Sequence, residues 1–433
     1  MDVKKHIVVV GGGFAGVDFI TNLAEDDNFE ITLVDKNNYN FFPPLLYQVA
    51  TGFLDPSNIS YPFRKLFAEK PNVRFRFGEL LEVDSQQQRI ILSNGELSYD
   101  ILVIATGTAS NYFGIENVQK YAIPMKTMND AIDMRNKILL KMEEASRSDN
   151  EYERIRKTTI VVAGGGPTGV EISGMLAEMK ATIFTKDYPE LIDFLPTIYL
   201  VDGSRTLLGP MSVESQQYTI QKLTEMGVKV KLNTQVKDFV DNIVYFANGD
   251  EIETEILIWS AGVTSLVFGG IPTESYGRGR RLIVNEFNQV AGVQNIYAIG
   301  DTCIQTTDVK WPGGHPQLAQ VAKQQGKNLA NNLKRRRSNK PLTAFKYNDK
   351  GSMAIIGRNK AVADLTFPKK HINGILAWLA WLFVHLLSLV NFKNKMFTFY
   401  NWMIAFFTKD QSLRMIIKPD LTGEMNSSQQ LNK

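Results

Sequence analysis

Short apolar runs without a charge recur along the chain, and the clearest of them lead straight into glycine or aspartate. Residues 7–10 and 160–163 run into glycine-rich stretches, and residues 31–34 and 198–201 are each followed by an aspartate. Uninterrupted apolar runs of this length are typical of strands buried on both faces, as in parallel sheets covered by helices. The pattern therefore predicts an α/β protein.

Two of these strands are followed by the same glycine spacing, G-x-G-x-x-G, and then by a helix-like segment. The glycines are Gly11, Gly13 and Gly16 after the first strand, and Gly164, Gly166 and Gly169 after the second. Glycine at these positions permits a tight turn, close approach of the backbone to a pyrophosphate, and close packing of helix on strand. The phosphate charge would rest on backbone N–H groups at the positive end of the helix.

The similarity between the two halves continues beyond the glycines. An Asn-Gly pair follows each motif, with Gly95 84 residues after Gly11 and Gly249 85 residues after Gly164. Asn-Gly between extended runs favours a type I′ hairpin turn. A strand and a turn of small residues come next, Ala105-Thr106-Gly107 in the first half and Ser260-Ala261-Gly262 in the second. This long repeat predicts two Rossmann-type dinucleotide-binding domains.

An aspartate after the second strand of each half is a candidate for binding a ribose hydroxyl. Asp35 lies 24 residues after Gly11, near the spacing expected for such a carboxylate, although a surface aspartate at a strand end is the alternative. Asp202 lies 38 residues after Gly164, and we interpret the polar, proline-bounded residues 180–196 as an insertion. A carboxylate here accepts from a free 2′-hydroxyl and repels a 2′-phosphate, which favours NADH over NADPH.

The order of the segments predicts that the second domain is inserted in the first. Residues 130–156 alternate apolar and charged positions at helical spacing and predict one helix joining the domains. Residues 295–301 form another short strand, ending in Gly-Asp, at which the chain returns to the first domain.

Two stretches are candidates for lining a ligand, each with an ordinary alternative. Residues 40–52, aromatic and apolar with two adjacent prolines, line a flat aromatic ligand or form core beneath a loop. Residues 317–326 begin a predicted helix on which Gln317, Gln320 and Gln324 share a face, as glutamines on ordinary surface helices also do.

The C-terminal part of the chain has a different character. Residues 374–390 are apolar on nearly every face, and residues 396–407 are rich in aromatic side chains, with lysines around both segments. Short helices with aromatic and basic residues are typical of helices that lie in the lipid interface. A buried dimer interface and a transmembrane anchor are the alternatives. A spanning helix needs about 20 apolar residues, and His385 lies within the first run.

Composition excludes several classes of protein. Of the 433 residues, 44% are hydrophobic and 21% charged, as in a folded protein, and a net charge of +3 does not indicate nucleic-acid binding. The single Cys303 excludes an internal disulfide and a multi-thiolate metal site, and the four histidines form no metal-binding pair, so we expect no metal. The N-terminus shows no secretory signal, which predicts a cytoplasmic setting.

The motifs together resemble those of the type II NADH dehydrogenases, the single-subunit, non-proton-pumping NADH:quinone oxidoreductases. The resemblance covers essentially the whole chain and rests on GGGFAG, FFPPLLYQVATG, ATG, GGGPTGVE, IYAIGD and AQVAKQQG in this order, followed by an aromatic tail. It implies FAD on the first domain, NADH on the second, a quinone entering from the membrane side, and a homodimer. It also implies a peripheral location on the cytoplasmic face of the inner (plasma) membrane.

The resemblance assigns residues to each site. It implies that Glu171 lies near the nicotinamide–flavin junction. It implies that Ala319, Gln320 and Gln324 line the quinone end of the flavin. The other FAD residues are Gly11, Gly13, Phe14, Ala15, Gly16, Asp35, Lys36, Ala105, Thr106, Gly107, Gly300 and Asp301. The NADH residues are Gly164, Gly166, Pro167, Thr168, Gly169, Glu171, Asp202, Ala261 and Gly262.

We accordingly expect an FAD-binding domain in residues 1–125 and 286–335, an NADH-binding domain with its linker helix in 126–285, and a membrane-association region in 336–433. Disulfide reductases and sulfide:quinone oxidoreductases are disfavoured, because they need redox cysteines and the chain has one cysteine. A soluble NADH-dependent ferredoxin or rubredoxin reductase passes that test but leaves the aromatic tail unexplained. Two intact glycine motifs disfavour a non-catalytic nucleotide-responsive protein.

Overall fold

The computed structural model describes residues 4–408 and 413–417, and this part of the chain divides into two compact units. Unit 1 runs to Phe41 and continues in Ser60–Asn111 and Val263–Lys350. Unit 2 comprises Phe42–Ile59, Tyr112–Gly262 and the chain from Gly351 onward. Each unit is built on its own parallel sheet, which confirms the α/β class predicted from the apolar runs.

Unit 1 is centred on a five-stranded parallel sheet. Its strands, in spatial order, are Ile296–Ala298, Ile101–Ile104, Lys5–Val10, Phe29–Asp35 and Val73–Phe77. The strand that carries the first glycine motif is the middle one, and its Ile7 aligns with both Ile31 and Ile101. Because neighbours flank it on both sides and helices cover the sheet, its apolar residues are almost completely buried.

Two helices of unit 1 are important for the site. The first fingerprint helix, Phe14–Leu23, follows the glycine motif, and it packs against the glutamine helix, Ala319–Arg337. A Cβ added at Gly326 would lie 2.6 Å from the carbonyl oxygen of Ala15, so the two backbones are nearly in contact. Smaller elements are Tyr39–Phe41, Ser60–Pro62, Phe63–Leu66, Leu80–Asp84, Arg89–Leu92, Gly95–Ser98, Ala109–Ser110, Val263–Thr264, Thr273–Ser275, Arg278–Arg280, Leu282–Ile283, Gly300–Thr302 and Cys303–Ile304.

Unit 2 repeats the same sheet. Its strands, in spatial order, are Ile123–Pro124, Ile256–Trp259, Thr159–Ala163, Thr197–Val201 and Lys229–Lys231, and the second glycine motif again follows the middle strand. The second fingerprint helix, Pro167–Met179, comes next. Smaller elements are Pro43–Leu45, Leu46–Ala50, Pro56–Ile59, Glu116–Tyr121, Val213–Glu225, Val236–Val240, Ile243–Phe246 and Glu251–Glu253.

The predicted hairpins are present, but the predicted type I′ turns are wrong. A type I′ turn needs positive φ at both central residues, whereas each Asn-Gly pair has it only at the glycine, +123° at Gly95 and +89° at Gly249. Leu92 pairs directly with Gly95, which places the glycine at the start of a strand. Gly249 ends a three-residue loop, a position at which a left-handed residue closes the turn.

The helix predicted over residues 130–156 is two helices, Met128–Arg147 and Glu151–Thr158. The chain breaks between them because Ser148 is extended and Asn150 caps the second helix by accepting from the N–H groups of Tyr152 and Glu153. The segment interpreted as an insertion continues the second fingerprint helix, as the short helical turns Lys180–Phe184, Thr185–Asp187 and Pro189–Phe194.

The C-terminal part of unit 2 consists of the tail sheet and the tail helices. The tail sheet is the antiparallel set Ser352–Gly357, Lys360–Thr366 and Lys369–Asn373, and the tail helices are Gly374–Ser388 and Phe392–Thr408. A Cβ added at Gly174 would lie 1.7 Å from the carbonyl oxygen of Ile356, so the second fingerprint helix packs directly on the tail sheet. Among the described residues, no helix has both the length and the apolar character needed to cross a bilayer.

Candidate functional site

The first glycine motif forms a loop that is closed by its own backbone on one side and open on the other. Gly11 has a φ of +103°, and a Cβ there would lie 2.3 Å from the carbonyl oxygen of Ala105. A Cβ at Gly16 would lie 2.0 Å from the carbonyl oxygen of Gly11. At Gly13, by contrast, nothing lies within 4 Å of the Cβ position. The open position faces the start of the helix, where backbone N–H groups favour an anion.

The second motif has the same geometry. Gly164 has a φ of +115°, and its Cβ position lies 2.7 Å from the carbonyl carbon of Ser260. The Cβ position of Gly169 lies 1.8 Å from the carbonyl oxygen of Gly164, while Gly166 again has nothing within 4 Å. Pro167 and Thr168, at the first turn of the helix, are exposed. The chain therefore contains two cradles of the same design, one in each unit.

The two candidate ribose carboxylates occupy equivalent positions despite their different spacing in the sequence. Asp35 accepts from the N–H of Gly12 at 2.7 Å, and Asp202 accepts from the N–H of Gly165 at 2.5 Å. The second oxygen of each binds the backbone two residues further on, at Asn37 and at Ser204. The helical turns that follow the second fingerprint helix account for the longer spacing of Asp202.

Burial affects the first of these carboxyls. Desolvation raises the pKa of Asp35 above its ordinary value, although the N–H groups of Gly12 and Asn37 oppose the shift. Lys36, next in the chain, is exposed and also favours the carboxylate. Each aspartate is thus held against its glycine loop by backbone donors and keeps further oxygen lone pairs for a hydroxyl.

The Gly-Asp turn of unit 1 lies beside the first cradle. The Cβ position of Gly300, at a φ of +76°, is 3.0 Å from the Cβ of Ala15. The hydroxyls of Thr106 and Thr302 are 3.3 Å apart, which brings the small-residue turn Ala105–Gly107 to the same edge. Lys323 lies over the ring of Phe14, 5.3 Å from its centroid. In unit 2, the Cβ position of Gly262, after Ala261, is 2.6 Å from the ring of Phe113.

Sequence reasoning missed Gln325, which directly follows the selected Gln324 in the chain. Gln325 is buried, and its Oε1 accepts from the N–H of Gly300 at 2.7 Å. The thiol of Cys303 contacts the same oxygen at 3.6 Å, and burial raises the pKa of that thiol to about 12, so it stays protonated. Gln325 therefore fixes the Gly-Asp turn. The second glutamine of the Gln-Gln pair in AQVAKQQG was the sequence feature from which Gln325 could have been identified.

Gln320 and Gln324 lie on one helix face, as predicted, but both are engaged with the chain itself. Gln320 accepts from the N–H of Lys350 at 3.1 Å. Gln324 donates to the carbonyl of Asn348 at 2.9 Å and accepts from its N–H at 3.0 Å. Gln317 precedes the helix, which begins at Ala319, and donates to the carbonyl of Asp301. The paired glutamines thus hold the segment that leads to Lys350.

The aromatic stretch over residues 40–52 forms core. Asn40 belongs to unit 1 and donates to the carbonyl of Gly12 at 2.7 Å, whereas the residues from Phe42 onward pack within unit 2. Gln48 accepts from the indole N–H of Trp402 at 2.8 Å, and Phe42 meets the ring of His385 edge-on. The stretch thus anchors the tail helices.

Glu171 is the most perturbed carboxyl of the predicted site. It lies on the second fingerprint helix with 8% of its surface exposed. Burial raises its pKa well above the ordinary value, and only the N–H of Ile355 in the tail sheet opposes the shift. The buried Tyr47 lies close enough that the charge of Glu171 also raises the phenol's pKa. Burial in this place therefore favours the protonated form of the Glu171 carboxyl.

Comparison with known proteins agrees with this geometry. Residues 5–326 match the family model described as pyridine nucleotide-disulphide oxidoreductase, and residues 350–409 match the NDH2 C-terminal domain. Two curated type II NADH:quinone oxidoreductases of Mycobacterium tuberculosis, Ndh and NdhA, are 30% and 32% identical. Each alignment covers 93% of this chain, and 88% and 87% of the relatives.

A solved structure shows the same fold at lower identity. NDH2 from Plasmodium falciparum, in complex with NADH, superposes with a TM-score of 0.87 at 23% identity, covering 96% of this chain and all of that one. The resemblance drawn from the motifs is confirmed. The chain belongs to the pyridine nucleotide-disulphide oxidoreductase family and, within it, to the type II NADH:quinone oxidoreductases.

Proposed function

We propose that this protein is an FAD-dependent NADH:quinone oxidoreductase that works at a membrane surface. The observation that carries the proposal is the pair of open glycine cradles, each with a strand-end carboxylate held against its loop. Two dinucleotides are what such a pair would hold. The reaction is inferred from the curated relatives, which are named as NADH:quinone oxidoreductases and align with this chain over nearly their whole length.

The first cradle fits FAD. Its residues are Gly11, Gly13, Phe14, Ala15, Gly16, Asp35, Lys36, Ala105, Thr106, Gly107, Gly300 and Asp301, in the domain proposed for residues 1–125 and 286–335. The absence of any neighbour at the Cβ position of Gly13 leaves room for a pyrophosphate there. FAD, when bound, supplies the two-electron chemistry that links a hydride donor to a quinone.

The second cradle fits NADH, in the domain proposed for residues 126–285. Gly166 leaves the corresponding space for the pyrophosphate, and Asp202 would accept from the ribose hydroxyl. The negative charge of Asp202 would repel the 2′-phosphate of NADPH. Glu171 would position the nicotinamide or exchange a proton near it. The remaining residues of this site are Gly164, Pro167, Thr168, Gly169, Ala261 and Gly262.

The quinone site is assigned to the start of the glutamine helix. We propose that Gln320 and Gln324 reach a quinone carbonyl with Ala319 beside them. Both glutamines hydrogen-bond the backbone at Asn348 and Lys350. These bonds support the proposal, because they fix this segment beside the glutamines as one wall of the site.

Membrane association is supported by the tail helices, because they bury polar side chains against the protein and expose apolar side chains on their outer face. The buried side chains of Phe392–Thr408 include Asn394 and Thr398, whereas Phe392, Phe399 and Phe407 are exposed by 75%, 48% and 72%. Exposed apolar residues on the first tail helix are Ile375, Leu376, Leu379, Phe383, Val384 and Leu387. An apolar outer face of this extent favours a non-aqueous surrounding.

The positive charges beside the tail helices also support membrane association. Lys369, Lys370 and Lys393 are exposed beside the tail helices and suit anionic headgroups. Two further lysines that follow the aromatic segment in the sequence, Lys409 and Lys418, lie outside the described residues. We further propose that the enzyme is peripheral, lies on the cytoplasmic face of the inner (plasma) membrane, and forms a homodimer.

Stopped-flow absorbance tests the reaction. NADH added to the purified protein should bleach the yellow flavin, and a water-soluble quinone added next should restore it. Ferredoxin in place of the quinone tests the soluble-reductase alternative. Protein purified without flavin, or flavin that stays reduced with every quinone, would overturn the proposal.

A further inference from the structure

The loop between the Gly-Asp turn and the glutamine helix contains a buried His–Asp pair that the proposed function does not use. The Nε2 atom of His315 lies 3.0 Å from a carboxylate oxygen of Asp308. The two side chains are 1% and 8% exposed. Burying a charged group costs free energy unless it is paired and hydrogen-bonded, so such a pair favours one conformation of the chain around it.

Asp308 accepts hydrogen bonds from three places in the chain. Its donors are Nε2 of His315, the N–H of Lys310 at 3.0 Å and the N–H of Tyr347 at 3.4 Å. Burial alone would raise the pKa of Asp308, but these three donors hold it below the ordinary value, so the group is a carboxylate. The first two bonds close the loop, and the third joins it to residues 343–350, which we call the wall segment.

The His–Asp pair borders a small hydrophobic cluster, separate from the two larger clusters of unit 1. The rings of Trp311, Phe345 and Tyr347 surround the imidazole of His315, with centroids 6.4, 5.1 and 5.9 Å away. Val321 of the glutamine helix belongs to the same cluster. The wall segment thus packs on the glutamine helix through residues that also contact His315.

The same contacts lead to one of the proposed quinone ligands. Gln324 exchanges two hydrogen bonds with the backbone of Asn348, at 2.9 and 3.0 Å. Asp308 binds the N–H of Tyr347, the residue directly before Asn348. Because the two bound residues are consecutive, displacement of Tyr347 also displaces the groups that hold the amide of Gln324. The His–Asp pair is therefore connected to Gln324 by hydrogen bonds and two residues of backbone.

The role of each nitrogen of His315 follows from its partner. A carboxylate only accepts, so Nε2 carries a hydrogen and donates it to Asp308. The other nitrogen, Nδ1, is buried and has no hydrogen-bond partner in the part of the chain that the structure describes. A glutamine at this position can supply the donated hydrogen without the ring, whereas a phenylalanine can supply the ring without the hydrogen.

We propose that Asp308 and His315 are positioning residues for the quinone site, which hold the wall segment against the glutamine helix and thereby orient Gln324. This inference rests on the proposed function, because the wall segment belongs to the proposed quinone site. Both residues act through Gln324, so their loss should weaken quinone binding and leave NADH binding unchanged.

Hydrogen exchange tests the hold on the wall segment without any substrate. In the holoenzyme, His315→Phe should speed exchange at the amides of Asn348 and Lys350 about tenfold, as the loss of one charge-assisted hydrogen bond implies. His315→Gln, which keeps a donor, should restore slow exchange. Asp308→Asn has one oxygen where the donors now meet two, so it should resemble His315→Phe. Mass spectrometry of the peptide that covers the wall segment measures the exchange.

Turnover provides the second measurement. His315→Phe and Asp308→Asn should raise the apparent KM for a water-soluble quinone about threefold or more, with flavin content and the KM for NADH unchanged. His315→Gln should lie near the wild type. The matched control is His371→Phe, which removes another His–Asp pair, 3.1 Å from Asp364, and should change neither the exchange nor the KM for quinone.

The possible outcomes separate this proposal from the proposed function. Wild-type exchange in both His315→Phe and Asp308→Asn would overturn the positioning role. Equally fast exchange in His315→Gln and His315→Phe would also overturn it, because packing of the ring would then hold the wall segment. Faster exchange with an unchanged KM for quinone would overturn the assignment of this segment to the quinone site. A wild-type enzyme that reduces no quinone would overturn the proposed function instead, and the exchange rates would still decide whether the His–Asp pair holds the wall segment.

Discussion

The glycines of the two motifs differ in whether their replacement would affect ligand binding alone or the fold itself. Gly13 and Gly166 have ordinary φ angles, −75° and −74°, and no neighbour at the Cβ position, so alanine there disturbs nothing in the chain itself. Gly16 and Gly169 have backbone oxygens at 2.0 and 1.8 Å, so alanine there must displace backbone. The middle glycines are therefore the ones whose replacement reports on the ligands.

We expect Gly13→Ala to lower FAD affinity and Gly166→Ala to raise the KM for NADH, with bound flavin unchanged in the second variant. Losing one charge-assisted hydrogen bond costs about 1.5–3 kcal/mol, or about 10- to 100-fold in affinity. Flavin content and steady-state kinetics measure the two effects. Gly209→Ala, also without a Cβ neighbour, is the control. If Gly13→Ala raised the KM for NADH and Gly166→Ala lowered flavin content, the assignment of FAD and NADH to the two cradles would have to be reversed.

Glu171 makes stability depend on pH. Its pKa in the folded protein lies well above the ordinary 4.5, so the folded state holds a proton that the unfolded state releases between these values. Stability therefore falls as pH rises through this window, by roughly 1.4 kcal/mol per pH unit. Glu171→Gln should remove this slope and gain stability over the wild type at neutral pH. Denaturant unfolding of the wild type and Glu171→Gln at several pH values measures this slope, and the same pH dependence in both proteins would contradict a raised pKa of Glu171.

Substitution of Gln320 tests the proposed quinone site most directly. We expect Gln320→Leu to raise the apparent KM for quinone several-fold, as the loss of one hydrogen bond of about 1 kcal/mol implies, with the KM for NADH unchanged. Asn328→Leu is the matched control, because Asn328 on the same helix also holds the following segment, through the carbonyl of Thr343. A change in the KM for NADH alone would refute the assignment.

At the scale of elements, the tail helices combine a hydrogen-bonded inner face with an apolar outer face. Thr398 donates to the carbonyl of Asn58, and Trp402 donates to Gln48, so the inner contacts are specific. His385 stacks on Trp381 at 3.8 Å between centroids, and burial lowers its pKa to about 4, so it adds no charge to the helix at neutral pH. The outer face can thus be changed without disturbing these contacts.

We expect the double variant Phe383→Ser/Phe407→Ser to fold normally and to bind vesicles at least about 100-fold more weakly. Burying each phenylalanine is worth about 1.5–3 kcal/mol, and the two side chains are 63% and 72% exposed. Sedimentation with vesicles that contain anionic lipid measures binding. Phe77→Ser, at a residue 55% exposed outside the tail helices, is the control. Undiminished binding of the double variant would show that another surface attaches the protein.

At the scale of the whole molecule, the proposed function requires nucleotide chemistry and lipid contact in one chain. The same double variant should therefore reduce a water-soluble quinone at the wild-type rate but lose most of its rate with a quinone dissolved in vesicles. Comparing the two acceptors under one NADH concentration measures this difference. Equal losses with both acceptors would instead show that the tail helices support the fold of the catalytic part.

The sequence by itself determined the features that depend on local spacing. The duplicated glycine motifs, the buried strands before them and the apolar tail could be identified because glycine geometry and uninterrupted apolar runs act over a few neighbouring residues. Asp35 and Asp202 could be selected as candidates for the same reason, because each directly follows a strand.

Tertiary structure decided which partners these residues meet, since the partners come from distant parts of the chain. Sequence could not show that Gln324 is bound to Asn348, that Gln325 holds Gly300, or that Glu171 is enclosed by the tail sheet. Nor could it show which face of Phe392–Thr408 turns inward, because both faces carry apolar residues. Burial and hydrogen-bond pairing are properties of the packed chain, and they alone distinguish a buried carboxyl with a raised pKa from a surface carboxyl.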